Sequence, residues 1–440
     1  MIFLPETIFA LATGSGKSAI AIVRVSGPQC DFILRQVCRR AEWRKREAIF
    51  ANIYDEDGSI IDKAIVLSFH APKSFTGEDM IEFQITGGRG IKSELLRNLT
   101  NFPRTRAAEP GEFARRAFEN GKLDLIQVEG LAALVDAETH AETRHSALMA
   151  FGHLSRECEL ARANLLQAAS LLEGFLDFSD VEDPNNVSIS SVFKALECAK
   201  YILQSLSVKS RVAEKLREGY TVAIVGKPNA GKSTLINHLL ERDAALVSEI
   251  PGTTRDYLEF FVELAGFPVV FVDTAGFRVA SDSVERLGIE KSRERIRAAD
   301  LIIWLSESDH VADDFLPKGV KTIKVRSKSD LANSNLEAFD GFAISARTGQ
   351  GIDNLVDRLV NQAREFFEDF ASPGLGSERQ IAAVGIAIKC IERAVCDASC
   401  PAELLAEEVR AALAAVGRVT GRVDVEDVLD EVFARLCVGK

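Results

Sequence analysis

The sequence predicts an α/β and α fold in three parts: a mixed α+β domain, a helical domain divided in two, and an α/β domain inserted between its halves. Three observations support this. Short apolar runs separated by glycine, proline and aspartate fill residues 1–121. Glycine and proline almost vanish from residues 122–217, and strand–helix alternation returns in residues 218–370 before a second helical stretch. The 440 residues suit three domains of about 150 residues each.

The first domain, residues 1–121, contains three apolar runs typical of strands. They are Ala19–Val25, Ala64–Phe69 and Met80–Ile85. Residues 55–58 read DEDG, and this composition favours a turn. We therefore expect a mixed α+β domain.

The helical domain is predicted in two parts, residues 122–217 and 371–440. Apolar residues such as Leu165, Leu172 and Leu176 recur at helical spacing, which indicates three or more long helices in the first part. A loop is expected at residues 183–186. Residues 371–377 resemble a linker, and residues 378–440 are predicted to be helical again.

The inserted domain, residues 218–370, is predicted to be a doubly wound parallel sheet, because strands and helices alternate along it. The predicted strands are Thr221–Val225, Val269–Asp273, Leu301–Leu305 and Thr322–Val325.

Composition excludes some classes of protein. The formal charge is −12, so the chain does not coat nucleic acid through bulk positive charge, although the first 121 residues are slightly basic. No apolar run approaches the roughly 18 residues of a membrane span. The first residues lack the basic region of a signal peptide, so we expect a cytoplasmic protein with no membrane span.

The eight cysteines are scattered and form no CxxC pair, so we expect free thiols. Cys390, Cys396 and Cys400 lie close together in sequence. Their spacing fits no common zinc site, and buried thiols on a helix are the favoured interpretation.

Residues 226–233 read GKPNAGKS and match the phosphate-binding pattern GxxxxGK[ST]. The motif follows a predicted strand and precedes an amphipathic stretch, which is the context that a P-loop requires. In such a loop, backbone N–H groups bind phosphate oxygens, Lys232 reaches the terminal phosphates and Ser233 holds magnesium. A second glycine-rich segment, GSGKS at residues 14–18, fails the pattern because Leu11 stands where the first glycine should be. We expect it to be a flexible basic loop.

Three further segments specify the nucleotide. Residues 273–276 (DTAG) end an apolar strand and suit magnesium and γ-phosphate sensing, and residues 251–256 (PGTTRD) offer a switch threonine. Residues 327–330 (SKSD) resemble the guanine-reading NKxD motif, in which Asp330 accepts two hydrogen bonds from guanine. Ser327 stands in place of the usual asparagine, which weakens one polar contact. These segments predict a Ras-like P-loop domain that binds GTP.

The predicted nucleotide-binding residues are Asn229, Ala230, Gly231, Lys232, Ser233, Thr234, Ser248, Glu249, Ile250, Pro251, Gly252, Thr253, Thr254, Asp273, Thr274, Ala275, Gly276, Ser327, Lys328, Asp330, Ser345, Ala346 and Arg347. Ser345 and Ala346 are expected to close over the base. The residue after the DTAG motif is Phe277, where Ras-like enzymes have a glutamine that positions the attacking water. Another group must therefore orient water, and another cation must supply the missing positive charge.

Motifs outside the nucleotide site extend over the whole chain. They are IVRVSGP at residues 22–28, PKSFTGED at 72–79, PGEF at 110–113, NGKLDL at 120–125 and CVGK at 437–440. Together with the P-loop they resemble the MnmE (TrmE) family of tRNA modification GTPases. Two segments depart from the family pattern: Thr86-Gly87-Gly88 replaces HGG, and GSGKSA at residues 14–19 replaces a PPGRGG-like loop.

The resemblance implies an activity and its partners. The family works with MnmG, an FAD- and NADH-dependent protein, in a heterotetramer that installs a (carboxymethyl)aminomethyl group on carbon 5 of the tRNA wobble uridine. A 5-formyl-tetrahydrofolate or related tetrahydrofolate supplies the one-carbon unit, and glycine and ammonium both remain open as the second substrate. The resemblance also implies a homodimer through the N-terminal, folate-binding domains. GTP-bound G domains would close on each other, driven by potassium.

The resemblance further implies roles for single residues. Asn229, Ser248, Ile250 and Thr253 would bind potassium, and Ser233 and Thr254 would bind magnesium. Glu285 would be the catalytic residue that positions water. Arg24, Glu82, Lys122 and Lys440 would bind the folate, and Cys437 would lie near the modification chemistry or serve as a packed thiol.

Two interpretations remain open. The basic stretch at residues 39–46, which includes Trp43, is a candidate tRNA contact, although such a run is more often a solvated face. The competing class is a regulatory or ribosome-assembly GTPase that binds RNA without modification chemistry. An appended RNA-binding module, such as a KH domain with GxxG, would favour that class, and none is evident in the sequence.

Overall fold

The computed structural model describes residues 6–40, 43, 46–177, 189–242, 259–273, 294–307, 317, 319–331, 341–368, 374–396, 401–423, 429, 432–434, 436 and 438–439. These residues form two compact units. One contains Met1–Ala132, Met149–Ala199 and Ile386–Lys440, and the other contains Ala133–Leu148 and Lys200–Gly385. The predicted domain limits at residues 122, 218 and 371 stay a prediction.

The first unit contains a six-stranded sheet in the order β3-β4-β5-β2-β1-β6. Neighbouring strands are antiparallel, except that β1 and β6 are parallel. The strands are β1 (Thr7–Leu11), β2 (Ile20–Ser26), β3 (Ile49–Tyr54), β4 (Ile60–Phe69), β5 (Met80–Thr86) and β6 (Thr105–Ala107). The helices of this region are α1 (Cys30–Cys38), α2 (Arg89–Thr100) and α3 (Glu112–Glu119).

Alternation along β2 gives this sheet two different faces. Ala21, Val23 and Val25 are buried and share a core with α1 and α2, which contribute residues such as Ile33 and Leu95. Residues of opposite parity, among them Arg24, point to the other face. The three strands and the 55–58 turn expected here are confirmed, while β1, β3 and β6 were not predicted.

Long helices follow, as predicted. They are α4 (Leu125–Asp136), α5 (His140–Ala150), α6 (His153–Asp177) and α7 (Ile189–Glu218), and later in the chain α10 (Glu378–Cys396) and α11 (Ala402–Thr420). In the first unit α6 and α11 pack together. Helix α4 comes so close to the segment after it that a Cβ on Gly130 would lie 2.5 Å from the Ala150 nitrogen. The predicted loop at residues 183–186 lies outside the described residues.

The second unit contains a six-stranded sheet in the order β12-β11-β10-β7-β9-β8. Its strands are β7 (Tyr220–Gly226), β8 (Glu259–Leu264), β9 (Phe267–Asp273), β10 (Leu301–Ser306), β11 (Lys321–Arg326) and β12 (Phe342–Ala343). Helices α8 (Lys232–Arg242) and α9 (Ile352–Glu368) contribute to the core on one face of this sheet. All four predicted strands are present and parallel.

One strand of the second sheet departs from the prediction. Strand β8 runs antiparallel to β9 at the edge of the sheet. Ala265 and Gly266 join the two strands, with φ of +50° and +90°. A two-residue connection with both residues at positive φ forms a tight hairpin, so the two strands must be antiparallel.

The cysteine prediction can be compared at six positions. Cys30, Cys38, Cys158, Cys198, Cys390 and Cys396 are free, and Cys390 is buried on α10, whereas Cys396 is exposed. Cys400 and Cys437 lie outside the described residues. Among the residues that are described, no three or more His, Cys, Asp or Glu side chains are grouped so that they could hold a metal ion. Within the same ranges, no helix has both the length and the hydropathy of a membrane span.

Candidate functional site

The P-loop lies between the end of β7 at Gly226 and the start of α8 at Lys232. A Cβ on Gly226 would lie 2.3 Å from the Leu305 carbonyl oxygen, so this close approach requires glycine. Asn229 has a φ of +64°, a left-handed conformation that asparagine tolerates better than most residues, and its side chain is exposed. The predicted strand–loop–helix context of the motif is therefore confirmed.

The ammonium of Lys232 is turned into its own loop. Its Nζ donates hydrogen bonds of 3.1 Å to the carbonyl oxygens of Gly226 and Lys227, and the residue is buried. Burial lowers the pKa of Lys232 from its usual value, and the nearby Asp273 carboxylate partly opposes that shift. A phosphate would give this buried cation the counter-charge that backbone carbonyls supply only in part.

Ser233, one of the two predicted magnesium ligands, lies beside Asp273 of the DTAG motif, while the other, Thr254, lies outside the described residues. The Ser233 hydroxyl donates to Oδ2 of Asp273 at 3.2 Å, and Asp273 stands at the carboxyl end of β9. The other carboxylate oxygen, Oδ1, is buried and has no hydrogen-bond partner among the described residues. A buried carboxylate oxygen without a partner is costly, and hydroxyl and carboxylate oxygens are the ligands that magnesium prefers. The pair therefore fits a magnesium ion.

The predicted guanine-reading segments meet at the ends of β11 and β12. The backbone N–H of Ser329 donates to the Ile344 carbonyl at 3.0 Å, which joins the SKSD segment to Ser345 and Ala346. Asp330 lies in a single 3-10 turn, Ser329–Leu331, with its side chain exposed. A short acidic side chain on a fixed turn suits an acceptor for the guanine edge.

Three side chains near Asp330 already have partners, those of Ser327, Lys328 and Ser345. The Ser327 hydroxyl lies 3.4 Å from the Ser306 carbonyl oxygen, and Ser327 is buried. Lys328 pairs with Glu307, and the Ser345 hydroxyl accepts from the Thr348 backbone at 3.3 Å. The loop is thus held by its own contacts, and Asp330 is left to face solvent.

Many residues of the predicted sites lie outside the described residues. They are Ser248, Glu249, Ile250, Pro251, Gly252, Thr253, Thr254, Thr274, Ala275, Gly276, Phe277, Glu285, Cys437 and Lys440.

In the first unit, Arg24 and Glu82 form a direct ion pair. They are register partners on β2 and β5, and the Nε and Nη2 of Arg24 donate to Oε1 of Glu82 at 3.0 and 2.8 Å. The Nη1 of Arg24 donates to the Gly439 carbonyl at 3.1 Å. The sequence predicted that Arg24 and Glu82 lie together with Lys440. Arg24 contacts Glu82 and also Gly439, the residue before Lys440.

Two aromatic rings complete the surroundings of Arg24. The guanidinium carbon lies 5.3 Å from the ring centre of Phe75 and 5.8 Å from that of Phe113. Both distances suit a cation–π contact. Sequence reasoning did not assign these residues to the site, although Phe75 lies in the PKSFTGED motif and Phe113 in the PGEF motif. The signal was an aromatic residue inside each motif.

Lys122 lies near the same motif but is exposed. A Cβ on Gly77 would lie 3.2 Å from Cγ of Lys122, and the Asn120 side chain donates to the Thr76 carbonyl at 2.8 Å. The NGKLDL motif is therefore held against the PKSFTGED motif, which contains Phe75.

The basic stretch at residues 39–46 is described only in part. Arg40 lies 5.8 Å from the Trp43 ring centre, and the indole N–H donates to the Arg40 carbonyl at 3.2 Å. Trp43 also packs against the core beneath the first sheet. Its ring is anchored in the fold, so less of it is available for a nucleotide than the sequence suggested. The tRNA contact itself stays a prediction.

Comparison with known proteins identifies the family to which the chain belongs. The model of the TrmE N-terminus, described as a GTP-binding protein, matches residues 7–122, and that of the MnmE helical domain matches residues 125–437. The tRNA modification GTPase MnmE of Beijerinckia indica is 43% identical over 99% of this chain and 96% of its own. The chain belongs to the MnmE family.

Other relatives agree. The MnmE proteins of Bradyrhizobium sp. (strain ORS 278) and Ruegeria sp. (strain TM1040) are 41% and 40% identical, each over 99% of this chain and 99% or more of their own. Among solved structures, the G domain of the T. maritima FeoB iron transporter matches 32% of this chain and 98% of its own at 23% identity, with a TM-score of 0.26. The full-length relatives at 40–43% identity identify the protein as a GTPase of tRNA modification, and the regulatory or ribosome-assembly alternative is not supported.

Asp330 provides a direct test of base recognition. Asp330→Asn replaces one acceptor oxygen by a donor, so it no longer matches the two N–H donors of guanine and matches the additional oxygen of xanthine better. We expect GTP affinity to fall by roughly ten- to hundredfold, the usual effect of losing a bidentate contact to a base. XTP affinity should rise. Calorimetric titration with both nucleotides measures this. Asp357→Asn removes the same charge from an exposed position on α9 and should change neither affinity. Unchanged GTP binding by Asp330→Asn would rule out Asp330 as the guanine acceptor.

Proposed function

We propose that this GTPase uses potassium and magnesium, acts as a homodimer, and works with an MnmG-type FAD- and NADH-dependent partner on tRNA. Together they would install the (carboxymethyl)aminomethyl group on carbon 5 of the wobble uridine, with a folate as the one-carbon donor. The observation that carries the proposal is the Arg24–Glu82 pair with its hydrogen bond to Gly439, in a chain that also holds a P-loop. A GTPase whose only task is switching does not need such a second site.

The second site has the chemistry of a folate pocket. A pterin offers a planar ring with an aminopyrimidine edge, and its tail carries carboxylates. Glu82 can accept from the aminopyrimidine N–H groups, while the half-buried ring of Phe75 offers flat apolar surface. Phe113 is fully buried and contributes only through its contact with Arg24. Lys122, and Lys440 beyond the described residues, would bind the carboxylates. Cys437 would lie near the reacting carbon.

An exposed apolar surface on the first sheet supports the homodimer. Ile20, Phe50 and Ile65 are exposed, and strand pairing places Phe50 opposite Ile65. These three residues lie on the same face of the sheet as Arg24 and Glu82. The pairing of β4 with β5 places the side chains of Ile65 and Glu82 on the same side of the sheet. An apolar surface on a sheet face is typical of an interface, and a second copy would cover it.

The nucleotide site would bind a potassium ion, and sodium would replace that ion poorly. Asn229 presents its amide at the tip of the P-loop, and an amide oxygen is a suitable ligand for a hard cation. Ser248, Ile250 and Thr253 would complete the potassium shell. Ser233, Asp273 and Thr254 would hold magnesium, which neutralises charge that develops on the phosphates. Glu285 would accept a hydrogen bond from the attacking water, the task that Phe277 cannot perform.

We expect GTP hydrolysis to be much faster in potassium than in sodium, because an Asn229 shell for the larger ion binds sodium poorly. Asn229→Ala should remove the difference between the salts and leave GTP affinity largely intact. Steady-state hydrolysis at equal ionic strength measures both. Asn237→Ala, at an exposed position on α8, should behave as the unaltered protein does. Equal rates in the two salts would contradict the potassium site.

We expect Glu285→Ala to lower turnover by about 10²–10⁴-fold, the usual contribution of a positioned acid–base group. GTP affinity should hardly change, since the carboxylate would contact water and not nucleotide. Single-turnover hydrolysis and nucleotide titration separate the two effects, with Glu294→Ala as a control that removes an exposed acid. Nucleoside analysis of tRNA from cells carrying the variant should show loss of the wobble modification. Hydrolysis at the normal rate would exclude the assigned role.

For the folate, calorimetry should show 5-formyl-tetrahydrofolate binding to the full-length protein. Glu82→Gln keeps the shape of the side chain and exchanges one acceptor for a donor, so affinity should fall roughly tenfold or more, as for a lost charge-assisted hydrogen bond. Glu94→Gln, on the half-exposed surface of α2, is the matched control. Equal affinity of Glu82→Gln and the control would remove Glu82 from the pocket, and no heat with the unaltered protein would count against the pocket itself.

A further inference from the structure

Lys92 on α2 is a buried lysine outside both sites described above. Only 5% of the residue is exposed, and it shares the buried face of the helix with Leu95 and Leu99. Its Nζ donates to the carbonyl oxygens of Ser15 and Gly16 at 2.9 and 2.7 Å. The lysine therefore fastens α2 to the GSGKS loop between β1 and β2.

A second contact presses the same loop against the start of α2. The backbone N–H of Ser18 donates to the Gly87 carbonyl at 3.4 Å. A Cβ on Gly87 would lie 2.3 Å from the Ser18 carbonyl oxygen, so any larger residue would push the loop away. The two segments that depart from the family pattern, residues 14–19 and 86–88, thus lie against each other and are joined by Lys92.

The base of the loop borders the Arg24 site. The Thr13 hydroxyl accepts from the Ile22 backbone at 3.2 Å, and the Ala12 N–H donates to the Ile22 carbonyl at 2.7 Å. A Cβ on Gly439 would lie 2.5 Å from the Ala12 Cα, so the C-terminal segment rests directly on this base. Gly439 is also the residue whose carbonyl binds Arg24. A shift of the loop would therefore reach the partner of Arg24.

Stability alone does not account for Lys92. A buried ammonium with carbonyl partners has lost its water and gains no full counter-charge, so an apolar side chain of similar length would serve the core at least as well. What an apolar side chain cannot do is hold two loop carbonyls. The free energy lost by burying this cation is therefore explained by its role in holding the loop in position.

We propose that Lys92 is a positioning residue for the folate pocket: it fixes the loop at residues 13–18, so that Ala12 and Gly439 stay in place beside Arg24. This inference rests on the proposed folate function. Lys92 touches the loop and not the ligand, and the geometry it preserves is that of the backbone under the C-terminal segment.

The test compares Lys92→Met and Gly87→Ala with the matched control Gly90→Ala. Lys92→Met removes the two hydrogen bonds, and Gly87→Ala displaces the loop from the other side. Gly90 lies three residues along α2 with open space around it, so its extra methyl should have no effect. The affinity of the full-length protein for 5-formyl-tetrahydrofolate should fall roughly tenfold in the first two variants, within the range for lost charged hydrogen bonds. Lys92→Arg, which keeps charged donors, should recover part of the loss.

Two further readouts separate positioning from a general loss of stability. The midpoint of urea unfolding should stay the same or rise in Lys92→Met, because the buried charge is removed. Trypsin should cut after the exposed Lys17 faster in Lys92→Met and in Gly87→Ala than in Gly90→Ala. Unaltered folate affinity in Lys92→Met and Gly87→Ala, or a loss of affinity matched by a loss of stability, would overturn the role of Lys92. Absence of folate binding by the unaltered protein would instead overturn the proposed folate function, on which that role depends.

Discussion

Buried cationic side chains hold segments of backbone in place in both units of this protein. Arg24, Lys92 and Lys232 lie on different elements, and each is largely buried. A buried cation requires hydrogen-bond acceptors, and in all three cases the chain supplies backbone carbonyl oxygens. Carbonyls belong to the main chain, so each of these side chains fixes a segment of backbone: the C-terminal segment, the 13–18 loop or the P-loop.

The three cations differ in what else neutralises them. Arg24 also has Glu82 as a counter-charge, whereas Lys92 has only the two carbonyls of its loop among its described contacts. Lys232 has an Asp273 carboxylate nearby, and its carbonyl contacts must be exchanged for phosphate oxygens when a nucleotide enters. The energy of phosphate binding is thus reduced by the contacts that it replaces, which stabilise the P-loop before GTP arrives.

Much of the architecture could be predicted because local chemistry determines it. Apolar runs predicted the central strands of both sheets, and the glycines around Lys232 predicted the P-loop. Strands β1 and β6 were missed because they are short, and the antiparallel β8 depends on the Ala265-Gly266 turn, which the strand–helix pattern concealed. Lys92 could have been recognised by its spacing with Leu95 and Leu99, which puts a charge on an apolar helix face. The contact between Arg24 and Gly439 leaves no local signal, since only the fold brings the two residues together.

The hydrogen bond from Arg24 to Gly439 joins residues that are 415 positions apart in the sequence. At the usual pace of translation, about 5–20 residues per second, the ribosome needs roughly 20–80 seconds to go from one to the other. The first sheet has time to form while most of the residues before Gly439 are still unmade, yet Arg24 gains this carbonyl partner only after Gly439 has left the exit tunnel. A chain interrupted before Gly439 would therefore carry a folded sheet in which Arg24 keeps Glu82 and lacks this carbonyl partner. The surroundings of Arg24 are thus completed by a residue that is synthesised long after the sheet.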